Sequence, residues 1–106
     1  MPKYLFQASY TLEGVNGLLE VGGSNRAEVV EGLVNSVGGT LESFYYAFGE
    51  DDAYVIAELP SDAAAAALSL RVSAAGAATV KTTVLLEPAT MDDAVKQSVS
   101  YTPPGS

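Results

Sequence analysis

The chain moves between two hydrophobic periods. From Lys3 to Tyr10, residues Tyr4, Phe6, Ala8 and Tyr10 share one side, and Lys3, Gln7 and Ser9 share the other with Leu5. That period of two marks a strand. Thr11 then offers a capping oxygen, with Glu13 in the turn behind it, the pattern of a helix start. Gly14, Gly17, Gly22 and Gly23 follow, and each interior glycine costs a helix about 1 kcal/mol against alanine. The expectation is therefore a short helical turn through Leu18-Leu19, a break at Gly22-Gly23, and a new helix capped by Ser24. In that second helix Val29, Val30, Leu33, Val34 and Val37 form one apolar stripe, the spacing of a buried helix face. Gly38-Gly39 supply the left-handed stop.

Alternation returns from Thr40 to Phe48, with Leu41, Ser43, Tyr45 and Ala47 on one side and Glu42, Phe44, Tyr46 and Phe48 on the other. Gly49 to Asp52 is a polar turn and Ala53 to Leu59 a third strand, so the two strands form a hairpin. Pro60-Ser61-Asp62 end that strand and cap an alanine-rich helix that Gly76 terminates. A fourth strand runs from about Ala78 to Glu87, Pro88 stops it, and Ala89 to Gln97 add a short acidic helix. The tail from Tyr101 to Ser106 reads as an extended arm. This divides the chain into a domain over residues 1–88 and a C-terminal helix and tail over residues 89–106. The order β-α-β, β-α-β predicts an α+β, ferredoxin-like fold with a four-stranded antiparallel sheet.

Helices would cover the more apolar side, formed by Tyr4, Phe6, Ala8, Tyr45, Val55 and Ala57 with Val80, Val84 and Leu86. The opposite side would carry Gln7, Ser9, Glu42, Tyr46, Tyr54, Glu58, Lys81 and Thr83, together with Leu5, Phe44, Phe48, Ile56 and Leu85. Open sheet faces are mainly polar, and so large an apolar patch is unusual on a monomer. The expectation is self-association through Leu5, Phe44, Phe48, Ile56 and Leu85, as a homodimer or larger even-numbered assembly. The competing arrangement folds the C-terminal segment from Ala89 back over the same face.

Composition narrows the chemistry. Hydrophobic residues make up 48% and charged residues 17%, enough apolar material for a core. Thirteen acids against five bases give a formal charge of −8, which disfavours nucleic acid, whose binding rests on Lys/Arg neutralising phosphates, and anionic membrane surfaces. There is no His and no Cys, hence no imidazole base, no thiol nucleophile, no disulfide and no ordinary zinc site. No apolar run reaches membrane-span length, and Met1-Pro2-Lys3 lacks signal-peptide character. The expected setting is cytoplasmic.

Several local stretches, taken in order, resemble the GYD domain family of small bacterial proteins: Thr11-Leu12-Glu13-Gly14, Leu33 to Gly39 followed by Leu41 to Phe44, the turn Gly49 to Asp52, and Glu58-Leu59-Pro60 before an alanine-rich helix. The resemblance covers Tyr4 to Pro88. It implies a dimeric ferredoxin-like, α/β-barrel type of association, in a family largely without assigned activity. One departure stands out: Asp51 occupies the place of the family's tyrosine, and Tyr54 lies three residues further on.

Among candidate sites, Glu50-Asp51-Asp52 have the oxygen chemistry of a hard-cation site but not its loop spacing, and read as a solvated hairpin tip; no metal is expected. Gly14, Gly17, Gly22 and Gly23 match neither a P-loop nor a dinucleotide fingerprint, and no cofactor is expected. Gln7, Tyr46, Tyr54, Glu58 and Lys81 on the open face have the make-up of a small-molecule pocket; the plainer reading is a structural Glu58–Lys81 pair. Arg26 is a candidate for a ligand carboxylate, against a partner such as Glu28 or Glu31. Three functions follow: a module binding a small apolar or aromatic molecule; a cofactor-independent oxygenase or isomerase using Glu58, Tyr54 or Lys81; or a purely structural self-associating protein.

Overall fold

A computed structural model describes residues 1–105. In chain order the elements are β1 (Lys3–Tyr10), α1 (Leu12–Val21), α2 (Gly23–Ser36), β2 (Thr40–Tyr46), β3 (Ala53–Glu58), α3 (Asp62–Ala75), β4 (Ala78–Leu85) and α4 (Pro88–Val95). The four strands make one sheet in the order β2-β3-β1-β4, and every neighbouring pair is antiparallel. The fold is α+β in the ferredoxin-like arrangement, with the first crossover split into two helices.

That crossover departs from expectation. Gly14 and Gly17 do not interrupt α1, which runs the full ten residues from Leu12. Gly14 is there for proximity: a Cβ at this position would strike the Ala77 carbonyl oxygen just ahead of β4. The Thr11 hydroxyl accepts from the Gly14 N–H at 3.2 Å and donates to the Gly76 carbonyl at 2.7 Å, so one side chain caps α1 and ties it to the end of α3. The break falls at Gly22, whose φ of 85° and ψ of 164° suit glycine alone. The helix resumes at Gly23 without a side-chain cap, so Ser24 lies inside α2 instead of starting it.

The core occupies one end of the helix-covered face. Tyr4 and Phe6 of β1 and Val55 and Ala57 of β3 meet Val34 of α2, Leu59, and Ala65 and Leu68 of α3. The buried Tyr4 hydroxyl reaches past this layer and donates to the Asp62 carboxylate at 2.6 Å. Ser61 caps α3 as its sequence predicts, accepting from the Ala64 N–H, and Gly76 ends it with φ 81°. At the sheet edge Val84 is half exposed, beyond the cover that α3 provides.

β2 corrects the assignment of faces. Its pairing to β3 runs Leu41 opposite Ala57 but Ser43 opposite Ile56, with a register shift between them. This bulge inserts one residue, and a one-residue slip turns every later side chain to the other face. Phe44 therefore packs against the core cluster, and Tyr46, opposite Ala53, is on the helix side. Tyr45, assigned to the helices from alternation, stands on the open face and is 71% exposed.

The C-terminal segment does not fold back over the sheet. Every residue of α4 is exposed, and the molecule extends 58 Å along its longest axis. Its radius of gyration is 17.0 Å, against about 13 Å for a compact chain of this length. Its accessible surface is 7143 Å², roughly 1,500 Å² more than a compact chain of this mass exposes.

Candidate functional site

Two sites face opposite sides of the sheet. On the open side, Gln7 lies directly between Tyr54 of β3 and Lys81 of β4. The chain leaves the end of β2, projects Phe48 fully into solvent, and returns Asp51 onto this surface, where it is only 3% exposed. Its carboxylate accepts from the Gln7 amide at 3.0 Å and the Ser9 hydroxyl at 3.0 Å, and pairs with the Lys81 ammonium at 3.1 Å. Burial pushes the Asp51 pKa up, but Lys81, Ser9 and Gln7 together outweigh it, so the group titrates below its ordinary value of 3.8. The same hydrogen bond to Asp51 raises Lys81.

This geometry revises the sequence reading at three points. The hairpin acids are not one solvated cluster: Asp51 turns onto the sheet, and Asp52 accepts from the Tyr10 N–H at 2.7 Å. Among the described residues no group of three acidic side chains converges as a metal would require. The partner of Lys81 is Asp51 and not Glu58, which sits opposite Lys3 at the other end of β1. Gln7 and Lys81 are thus brought together with Tyr54 beside them, while Glu58 is roughly 13 Å along the strand and Tyr46 is on the other face. Asp51, which organises the group, was absent from the predicted set. Its signal was the resemblance itself, a charged residue at a position where an aromatic one was expected.

The second site lies under the helices. α2 packs along β2 and α3 along β4, and between them, over the middle strands, is a cavity of about 110 Å³, partly open to solvent. Its floor is made of small residues on neighbouring strands: Ala8 is opposite Ala53 of β3, and Ala78 of β4 is opposite Tyr10. Phe6, Phe44 and Val55 close the end toward the core. The helices contribute Val29, Val30 and Leu33 from α2, and Leu68, Ser69 and Val72 from α3. The space exists because alanines replace the bulky side chains that fill the same layer at Tyr4, Phe6 and Val55.

Polar groups in this lining are few. Ser69 shares a 2.7 Å hydrogen bond with Thr82 of β4. Tyr10 and Arg26 also line the cavity, and Tyr46 lies beside them, donating to the Gly23 carbonyl at 2.9 Å with its ring against Gly23. Burial, then the neighbouring Tyr46 hydroxyl, push the Tyr10 phenol up to about 12, against a smaller downward pull from Arg26. Tyr10 is thus a hydrogen-bond donor throughout the neutral range and not a base. Arg26 makes no side-chain hydrogen bond or ion pair among the described residues, and neither Glu28 nor Glu31 engages it. The acid–base groups considered for catalysis, Tyr54, Glu58 and Lys81, lie across the sheet from this cavity.

The chain is thus an α+β protein with a four-stranded antiparallel sheet and an apolar cavity between sheet and helices. A family model for the GYD domain matches residues 4–95, and the chain belongs to that family. The match runs past Pro88 into α4. Neither the curated proteins nor the solved structures give a match. Among the described residues no helix is long and apolar enough to cross a membrane.

Proposed function

We propose that this protein is a small-molecule binding module that takes a compact apolar or aromatic molecule into the cavity between α2, α3 and the sheet. The observation that carries this reading is the cavity itself, of about 110 Å³ with an almost wholly apolar lining. An apolar cavity of about 150 Å³ engineered in another protein stays dry and holds benzene. The binding place is moved from the open face, where Gln7 and Lys81 are already committed to Asp51.

The open face supports a second part of the proposal, a homodimer or larger even-numbered assembly. Leu5, Tyr54, Ile56 and Leu85 are only partly covered and Tyr45 is exposed, while α4 leaves them uncovered. Contact through this face leaves the cavity, on the other side of the sheet, free to bind.

Native mass spectrometry tests both parts, paired with thermal unfolding across a toluene titration. The proposal expects an even-numbered assembly and a saturable rise in Tm, since a ligand of the folded state stabilises by mass action. An even-numbered assembly whose Tm ignores toluene, and which carries no bound small molecule, leaves the purely structural reading in place. A monomer at micromolar concentration removes the assembly.

A further inference from the structure

We infer that the cavity's ligand is a monocarboxylate with a compact apolar or aromatic body, its carboxylate held by Arg26 and its body over the alanine floor. The inference rests on the binding reading above and adds the chemical class. Of the five basic residues in the chain, Arg26 alone lines the cavity. It stands three, four and seven positions before Val29, Val30 and Leu33, which places it on the same face of α2 as the apolar wall. Lys3 is paired with Glu42 and Lys81 with Asp51, whereas Arg26, like the distant Arg71 and Lys96, has no ion pair among the described residues, so its place in the cavity lining is what singles it out.

An arginine in the lining of an apolar cavity, with no ion pair among the described residues, favours an anion whose remainder is apolar. Its planar fork matches two carboxylate oxygens. A phosphate ester fits less well, because its second charge would meet one cation in a chain of net charge −8. Tyr10 lines the cavity with Arg26, its phenol protonated and adjoining Tyr46. The result is a polar grip at one end and an apolar chamber at the other.

The test titrates benzoate, benzamide, toluene and inorganic phosphate into full-length protein and into R26Q, following side-chain methyl NMR shifts at Val29, Val30 and Val72 and the dissociation constants. R26Q keeps a shorter polar side chain with hydrogen-bonding ability but removes the charge, and unchanged unfolding confirms its fold. The expected result is saturable benzoate binding that weakens roughly ten- to hundredfold in R26Q, toluene binding the same to both proteins, and benzamide and phosphate weaker than benzoate. Benzoate affinity equal in the two proteins overturns the carboxylate assignment. Toluene binding without benzoate binding also overturns it, while leaving the binding module intact. If neither toluene nor benzoate moves the methyl signals, the binding reading fails and this inference with it.

Discussion

The sharpest test of the cavity is to place one substitution at two positions on one strand. Ala53 and Ala57 are both buried alanines on the helix side of β3, but Ala53 borders the cavity and Ala57 sits within the packed cluster. Valine adds two carbons at each. Ala53, itself only 1% exposed, borders that apolar space, so the carbons extend toward it and at ~0.8 kcal/mol per buried carbon the gain is at most about 1.5 kcal/mol. A ceiling comes from the cavity as a whole: at ~24 cal/mol per Å³, 110 Å³ costs about 2.6 kcal/mol if sealed, and less because it is partly open. At Ala57, with no exposure at all, the same carbons must displace neighbours, which costs about 1–3 kcal/mol. The two variants should therefore move stability in opposite directions. Urea denaturation at one fixed protein concentration, with the slope m compared to detect changes in the unfolded state, measures both. On the thermal scale Ala53→Val should gain up to about 6–10 °C, and toluene should stabilise it less. A loss of stability at both positions would mean that the space beside Ala53 is already filled, and would refute the cavity argument.

Gly14→Ala should destabilise by about 1–3 kcal/mol, because its Cβ collides with the Ala77 carbonyl, which is backbone and has nowhere to go; a wild-type urea midpoint would refute the close approach. Asp51→Asn should lower stability at pH 7. Because the folded Asp51 pKa is depressed, its contribution is full above the ordinary carboxylate value and is lost as pH falls through the lower folded value. The wild-type and variant curves should therefore converge in acid, and equal midpoints at pH 7 would show that the clamp contributes nothing. Ile56→Lys should reduce the assembly to a folded monomer by light scattering coupled to gel filtration, whereas Phe44→Lys, packed against the core cluster, should destabilise the fold itself. An unchanged mass for Ile56→Lys would locate any assembly elsewhere.

Much of the architecture was legible because it is locally encoded. Thr11, Gly22, Ser61 and Gly76 act at the positions where capping and turn chemistry place a start or stop, and Tyr4, Phe6, Val55 and Ala57 follow a period of two. The alternation failed where it had to fail, at the bulge before Ser43. A single extra residue is invisible to a pattern that assumes regular pairing, and it exchanged the faces of Phe44, Tyr45 and Tyr46. Asp51 was misread for a different reason. Its partners come from β1 and β4, distant in sequence, so nothing beside it in the chain distinguishes it from a solvated turn acid. The cavity had a quiet signal in Ala8, Ala53 and Ala78: space is written as small residues, and their effect emerges only when pairing puts them on neighbouring strands.

The acidic turn has a wider role than its place at a hairpin tip suggests. A hairpin with a bulge in one strand has an obvious competing alignment one step away, and backbone hydrogen bonds discriminate weakly between the two. Asp51 and Asp52 seat the β3 strand of that hairpin against its other neighbours: one grips Gln7, Ser9 and Lys81, while the other exchanges bonds with the Ala8 carbonyl and the Tyr10 N–H. These contacts coincide in a single alignment, the one that sets Ala53 opposite Ala8. The pair works as an indexing pin, so a charged contact on one side of the sheet fixes the shape of the apolar chamber on the other.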